Sequence, residues 1–247
     1  MINIVIPMAG LGKRFVDAGY KDPKPFIDVL GKPMIQHVIE NLDMKGARFI
    51  LIARKEHVQD YGHVIDALKS GFDLQLITID KLTEGTACTV LYAKKIIDGR
   101  DPLLIANSDQ IVDFDCGEFI EDAAKKELDG SILTFIDAEL NPKWSFAKTD
   151  EQGFVTEVQE KKAISKFATV GIYYFTKGSD FVNGAIDMII RNDRVNNEFY
   201  TCPVYNYLIA EGKKIGIYNI DADAMHGTGT PEDLRTYIEF KGGVAVK

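Results

Sequence analysis

INIVIPMAGLGKRFVDAGYKDPKPFIDVLGKP, residues 2–33, sets a short apolar run directly against a loop rich in glycine and cations. The opening INIVIP has the composition of a buried strand. Met8, Ala9, Gly10 and Gly12 come immediately after it. A glycine has no β-carbon, so the backbone there can approach an anion closely and offer its N–H groups to phosphate oxygens. Residues 7–33 carry five basic side chains (Lys13, Arg14, Lys21, Lys24 and Lys32) against three acidic ones, in a chain whose formal net charge is -8. This local reversal of charge marks a triphosphate-binding loop; the plainer alternative is a glycine turn with solvated lysines.

Two better-known phosphate loops do not fit. A dinucleotide fingerprint wants glycine at its sixth position, where this chain has Phe15, and a Walker loop wants four residues between its glycines and then Lys-Ser or Lys-Thr. The residues downstream place the loop in a fold. Ile35, Val38, Ile39 and Leu42 have helical spacing, with Gly46 as a stop. Residues 49–53 read as a strand. Val58, Tyr61, Ile65 and Leu68 mark a helix that Gly71 ends, and residues 74–79 a third strand. In EGTACTVLYAKKIIDG, Thr86 is expected to cap one helix running to Gly99. A fourth strand at 103–106 ends just before Asn107, Ser108, Asp109 and Gln110. Strict alternation of strand and helix predicts an α/β, Rossmann-like fold: a mostly parallel central sheet, helices on both faces, ligands at the carboxyl ends of the strands. A helix at about 118–128 and a strand at 131–136 continue it. The rhythm then changes to short strands near 145–149 and 154–158 and a longer one over 168–175, which predicts a smaller antiparallel part. Helices around 182–190 and 203–210, a strand at 215–220 and a last helix capped by Thr230 with Pro231 in its first turn complete the chain.

Composition bounds the function. With 247 residues, 46% of them hydrophobic, the chain can bury a substantial core as one domain. A pI near 5 argues against a nucleic-acid partner. Cys88, Cys116 and Cys202 are odd in number and far apart, so they form neither a disulfide framework nor a zinc pattern. No apolar run approaches a membrane span, and the expectation is a cytoplasmic protein.

PMAGLGKRF with Lys24-Pro25-Phe26 and Gly31-Lys32-Pro33 resembles the opening signature of the sugar-phosphate nucleotidylyltransferases. Further similarities occur in that family's order, to about Tyr237. Gly85-Thr86-Ala87 resembles its base-reading loop, with Glu84, Ser108 and Lys13 added to the nucleotide side, and Asp109 falls where the family places a magnesium-binding aspartate. Glu160-Lys161 resembles its Glu-Lys-Pro acceptor motif, residues 169–173 its sugar-side strand, and Gly229-Thr230-Pro231-Glu232 its closing helix start.

The resemblance implies one nucleotidyltransferase domain over residues 1–247, with a nucleotide-binding half over about 1–137 and an acceptor-binding half over about 138–247. It implies attack by the phosphate of a small-molecule acceptor on the α-phosphorus of a nucleoside triphosphate, CTP or UTP favoured, with Mg2+ as cofactor. Such a product would feed polysaccharide synthesis, and a homo-oligomer is compatible with the reading. Arg14 and Lys24 would serve the triphosphate, Lys161 the acceptor phosphate, and Glu160, Gly171, Glu198 and Tyr200 the acceptor body. A phosphate nucleophile arrives ionised, so no Ser-His or Cys-His pair is required.

The chain departs from the pattern at three places. Lys162 replaces the proline of Glu-Lys-Pro. Gly227 stands where such enzymes commonly have a second metal-binding aspartate, for which Asp221 or Asp223 is the candidate substitute, against a plainer reading as solvated turn residues; His226 is a further candidate for ligand contact. The Asn-Glu-Phe-Tyr run at 197–200 is similar instead to cytidylyltransferases of capsule and surface-polysaccharide pathways. Two rival readings are a nucleotide-sugar-dependent glycosyltransferase using Asp109, Asp113 or Asp115 around a metal, and a non-catalytic nucleotide-sensing module.

Overall fold

A computed structural model describes residues 1–242. Its first strand, β1 (Ile2–Pro7), is buried along nearly its whole length. Its period-2 side chains separate onto the two faces of the sheet. Ile4 and Ile6 enter one core and Val5 the other.

After β1 come a one-turn helix α1 (Lys13–Asp17), a two-strand ribbon β2 (Asp28–Val29) and β3 (Lys32–Pro33), and helix α2 (Met34–Leu42). Strand β4 (Ala47–Arg54), helix α3 (Lys55–Gly71) and strand β5 (Leu74–Ile79) repeat the alternation. The expected single helix over 86–97 is instead α4 (Thr86–Val90), a 3-10 turn and α5 (Lys94–Ile97). The Thr89 hydroxyl donates to the Gly85 carbonyl, four residues back, and such back-bonding bends a helix.

Strand β6 (Leu103–Ala106) leads through β7 (Gln110–Val112) to helix α6 (Cys116–Lys125) and strand β8 (Gly130–Ile136). Asp115 caps α6, accepting from the Glu118 N–H, so the helix starts earlier than its apolar spacing suggested; Glu127 at φ 52 ends it. The second half comprises β9 (Phe146–Thr149), β10 (Val155–Gln159), β11 (Phe167–Phe175), α7 (Gly178–Ile190), α8 (Val204–Ala210), β12 (Ile215–Ile220), β13 (Met225–Gly227) and α9 (Pro231–Phe240).

β6, β1, β4 and β5 are parallel neighbours in that order, so β1 lies inside the sheet. β11 runs antiparallel beside β6 and also pairs with β8 and β9, and β12 is parallel to β8. β9 and β10 form the smaller antiparallel part. The fold is the α/β, Rossmann-like one expected. One face is covered by α2, α3 and α6, the other by α4, α5, α7 and α8. A third cluster, Phe15, Ile27, Val29, Met34, Ile111, Leu234, Tyr237 and Ile238, packs the last helix under the glycine loop.

Candidate active site

β1 and β6 are parallel neighbours, so the segments after them emerge at the same edge of the sheet. Between these segments and the second half lies a cleft of about 680 Å³. At one end Gly12, Lys13, Arg14, Lys24, Asp109, Gln110, Gly227 and Gly229 line it. Gly12 adopts φ 59, and a β-carbon there would sit 3.3 Å from Lys24 Cβ. Glycine therefore allows both the left-handed start of α1 and the contact with Lys24. Phe15, buried in the third cluster, holds α1 down while Lys13 and Arg14 stay exposed, without an ion-pair partner among the described residues.

Lys24 is fixed by its neighbour Phe26, which is buried and stacked on Tyr61 at 4.6 Å. Its ammonium pairs with the Asp109 carboxylate. The backbone carbonyl of Asp109 accepts from both the N–H and the hydroxyl of Thr228, each at 3.0 Å. A β-carbon at Gly229 would lie 3.0 Å from Asp109 Oδ2. Residues 227–229 thus form a close-fitting wall that fixes Asp109.

The other end is built from Trp144, Ser145, Glu160, Lys161, Thr169, Tyr173, Tyr200 and Cys202. The Ser145 hydroxyl donates to Glu160 Oε2. Burial pushes the Glu160 carboxyl above its ordinary value, opposed by the Ser145 hydrogen bond and the Lys161 charge. Burial likewise raises the Cys202 thiol and the Tyr173 phenol, so these two groups stay protonated and neutral. Lys161 Nζ donates to the Tyr200 hydroxyl at 2.6 Å. Lys161 itself takes φ 55, rare for a residue with a β-carbon. A proline at 162 would push residue 161 toward extended backbone, and Lys162 leaves it free to adopt this turn.

The chain from residue 4 to residue 235 matches the family model described as nucleotidyl transferase. The chain belongs to the nucleotidyl transferase family. Among its relatives, the bifunctional protein GlmU of Methanocaldococcus jannaschii is 29% identical over 71% of this chain and 40% of its own length. The mannose-1-phosphate guanylyltransferase catalytic subunit beta of Drosophila melanogaster is 28% identical over 69% of this chain and 47% of its own. The chain thus spans less than half the length of these curated relatives. A solved nucleoside-diphosphate-sugar pyrophosphorylase from Vibrio cholerae superposes with a TM-score of 0.81 at 25% identity, covering 96% of this chain and 99% of that one.

In this nucleotidyl transferase, ten of the residues singled out from sequence share the cleft: Gly12, Lys13, Arg14, Lys24, Thr86, Asp109, Glu160, Lys161, Gly171 and Tyr200. Others lie elsewhere. Met8 and Ala9 are buried in the two cores, and Gly10 is exposed with open space around its α-carbon. Ser108 does not line the cleft. Glu84 pairs with Arg194, and Gly85 packs against the backbone of Phe199. Glu198 is exposed and its backbone pairs with Val195, but its carboxylate neighbours Tyr200 and Glu160 at the rim of the cleft. Gly171, at φ 92, marks the register shift in β11, and its missing β-carbon makes room for the Asn107 side chain.

Thr86 does not cap its helix. Gly85 holds the N-cap position, and the Thr86 hydroxyl oxygen instead accepts from the N–H and hydroxyl of Thr201, each at 3.1 Å. Asp221 and Asp223 are exposed and outside the cleft. His226 is held by Asp113 at 2.8 Å and by the rings of Tyr237 and Phe240. Sequence reading did not single out Thr228, Ser145 or Trp144; Gly229 was quoted within the Gly-Thr-Pro match and Gln110 in the run after the fourth strand, but neither was given a site role. The Gly-Thr-Pro match passed one residue from Thr228, and nothing local signals Ser145 or Trp144.

The donors at the Gly12 end suit a hard cation. Asp109 supplies a carboxylate, and Gln110 Oε1 is a buried oxygen with no protein hydrogen-bond partner. No group of three or more His, Cys, Asp or Glu is arranged to hold a metal among the described residues. A magnesium ion usually takes one or two carboxylates plus substrate phosphates, which one aspartate and a bound triphosphate can provide.

Proposed function

We propose that the chain transfers a nucleotidyl group from a nucleoside triphosphate, CTP or UTP, to the phosphate of a small-molecule acceptor such as a sugar phosphate, releasing pyrophosphate. The observation that carries this is the cleft itself, cationic with one carboxylate at the end under Gly12 and a hydroxyl-reading Ser145–Glu160 pair beside Lys161 at the other. In this reading an acceptor phosphate oxygen bonds to the α-phosphorus while the bond to the β-phosphate oxygen breaks, and the electron pair leaves with pyrophosphate. The attacking oxygen is already ionised, so no protein base is needed. Arg14 and Lys24 hold the triphosphate and draw off its charge, and Lys161 brings the second anion against the repulsion of the first. Asp109 would hold magnesium with the triphosphate, and the ion supplies further charge neutralisation.

The pyrimidine preference rests on residues 84–87. Gly85 is pressed on the Phe199 backbone, with 2.4 Å between the Phe199 carbonyl oxygen and the position of a β-carbon, so the loop is held in one place against which a base could be read. A role in supplying activated precursors for capsule or other surface polysaccharides in the cytoplasm extends the same reading; no described helix is long and apolar enough to cross a membrane. The glycosyltransferase alternative loses support because Asp113 binds His226 and Asp115 caps α6, and neither lines the cleft. Pyrophosphate release measured with the four common triphosphates, magnesium and a panel of phosphorylated acceptors, sugar and non-sugar, tests the proposal. CTP or UTP is expected to support release, and silence with every pair would refute it.

A further inference from the structure

The loop that carries Thr86 and the segment that carries Tyr200 are fastened to each other although they lie 114 residues apart. The Phe199 N–H donates to the Glu84 carbonyl at 2.7 Å, and the Ala87 N–H donates to the Phe199 carbonyl at 3.0 Å. The Thr86 hydroxyl oxygen accepts twice from Thr201. Gly85 is required at this seam, because a β-carbon there would overlap the Phe199 backbone. Outside the seam, the Arg194 guanidinium pairs with Glu84 and lies 4.2 Å from the Phe199 ring centroid. Between Phe199 and Thr201 stands Tyr200, whose hydroxyl accepts from Lys161.

We propose that Thr86, on the loop assigned to the nucleotide, is a positioning residue for the acceptor. Its hydroxyl oxygen fixes residues 199–201, and through the Tyr200 hydroxyl fixes the ammonium of Lys161. The inference rests on the reading of the cleft as a nucleotidyl transfer site. It adds a physical link between the two ends: residues 84–87 hold the segment that positions the group receiving the acceptor. A loop serving the base alone would affect the triphosphate and leave the acceptor untouched.

The test compares Thr86→Val, which keeps the shape and loses the acceptor oxygen, with Thr86→Ser, which keeps the oxygen. Hydrogen exchange of the amides at 199–201 is read in the protein alone, and KM for each substrate is read with the pair that gives the greatest pyrophosphate release in wild type. Thr86→Val is expected to speed exchange at 199–201 and to raise acceptor KM by about five- to tenfold, the scale of one lost hydrogen bond. Triphosphate KM should stay within about twofold, and Thr86→Ser should behave as wild type. In the double variant with Tyr200→Phe, which cuts the link to Lys161, Thr86→Val should add little further. Unchanged exchange in Thr86→Val, or a rise confined to triphosphate KM, overturns the proposal. Wild type that releases no pyrophosphate with any pair removes the underlying reading and this inference with it, whereas an active wild type without the KM split removes the inference alone.

Discussion

Glu160 is a largely buried carboxyl bonded to Ser145 beside the Lys161 charge, and its pKa is raised above 4.5, first by burial. The folded protein therefore binds that proton more tightly than the unfolded chain does. Its contribution to stability is present below about pH 4.5 and is lost as pH rises through the raised value. Glu160→Gln removes this titration, so its melting temperature relative to wild type should be higher at pH 7 than at pH 4; an equal difference at both would contradict the assigned environment. The same variant should weaken the acceptor, because an amide nitrogen cannot accept from its hydroxyls. Gly229→Ala should cut turnover by about tenfold or more with the fold retained, since its β-carbon crowds an Asp109 carboxylate that Lys24 already holds in place. Asp109 was legible in sequence because it lies directly after an apolar strand. Thr228, which holds the Asp109 carbonyl from 119 residues away through its N–H and its hydroxyl, was not.

Among the elements, those with long apolar periodicity were legible, and the shortest were not. β7 and β13 have three residues each and pair only with one another, too little for any pattern to register, yet they bring Gly227 opposite Gln110 in the cleft. The Thr86 cap was misread for a related reason: a threonine before a helix has a local partner to offer, and only the folded chain supplies Thr201. By contrast Thr230 does cap α9, accepting from the Asp233 N–H at 3.1 Å. Thr230→Ala should cost about 1 kcal/mol in urea unfolding, and a loss near zero would mean that packing under Phe15 alone holds the helix. Gly171→Ala should cost more than about 1 kcal/mol, having both a left-handed backbone and Asn107 against it.

Across the whole molecule, the expected boundary near residue 137 divides neither the structure nor the cleft, since Gly227, Thr228 and Gly229 of the second half wall in Asp109 of the first. β11 belongs to the second half and pairs with β6 of the first, and it also pairs with β8, so one sheet runs through both. Heating or urea should therefore give a single transition by circular dichroism and by tyrosine fluorescence alike; two separated transitions would show that the halves fold independently. The alternation of strand and helix revealed this sheet from the sequence, and the order of motifs along it revealed the family. Which loops close on each other across it could not be read from either.

In the proposed reaction one cleft holds a triphosphate at Arg14 and an acceptor phosphate at Lys161. Steady-state pyrophosphate release by Arg14→Ala and Lys161→Ala tests it most directly. Arg14→Ala should lower kcat by about a hundredfold with acceptor KM little changed, and Lys161→Ala should raise acceptor KM by about tenfold or more with triphosphate KM little changed. Wild-type kinetics in either variant, or the same defect in both, would contradict the account.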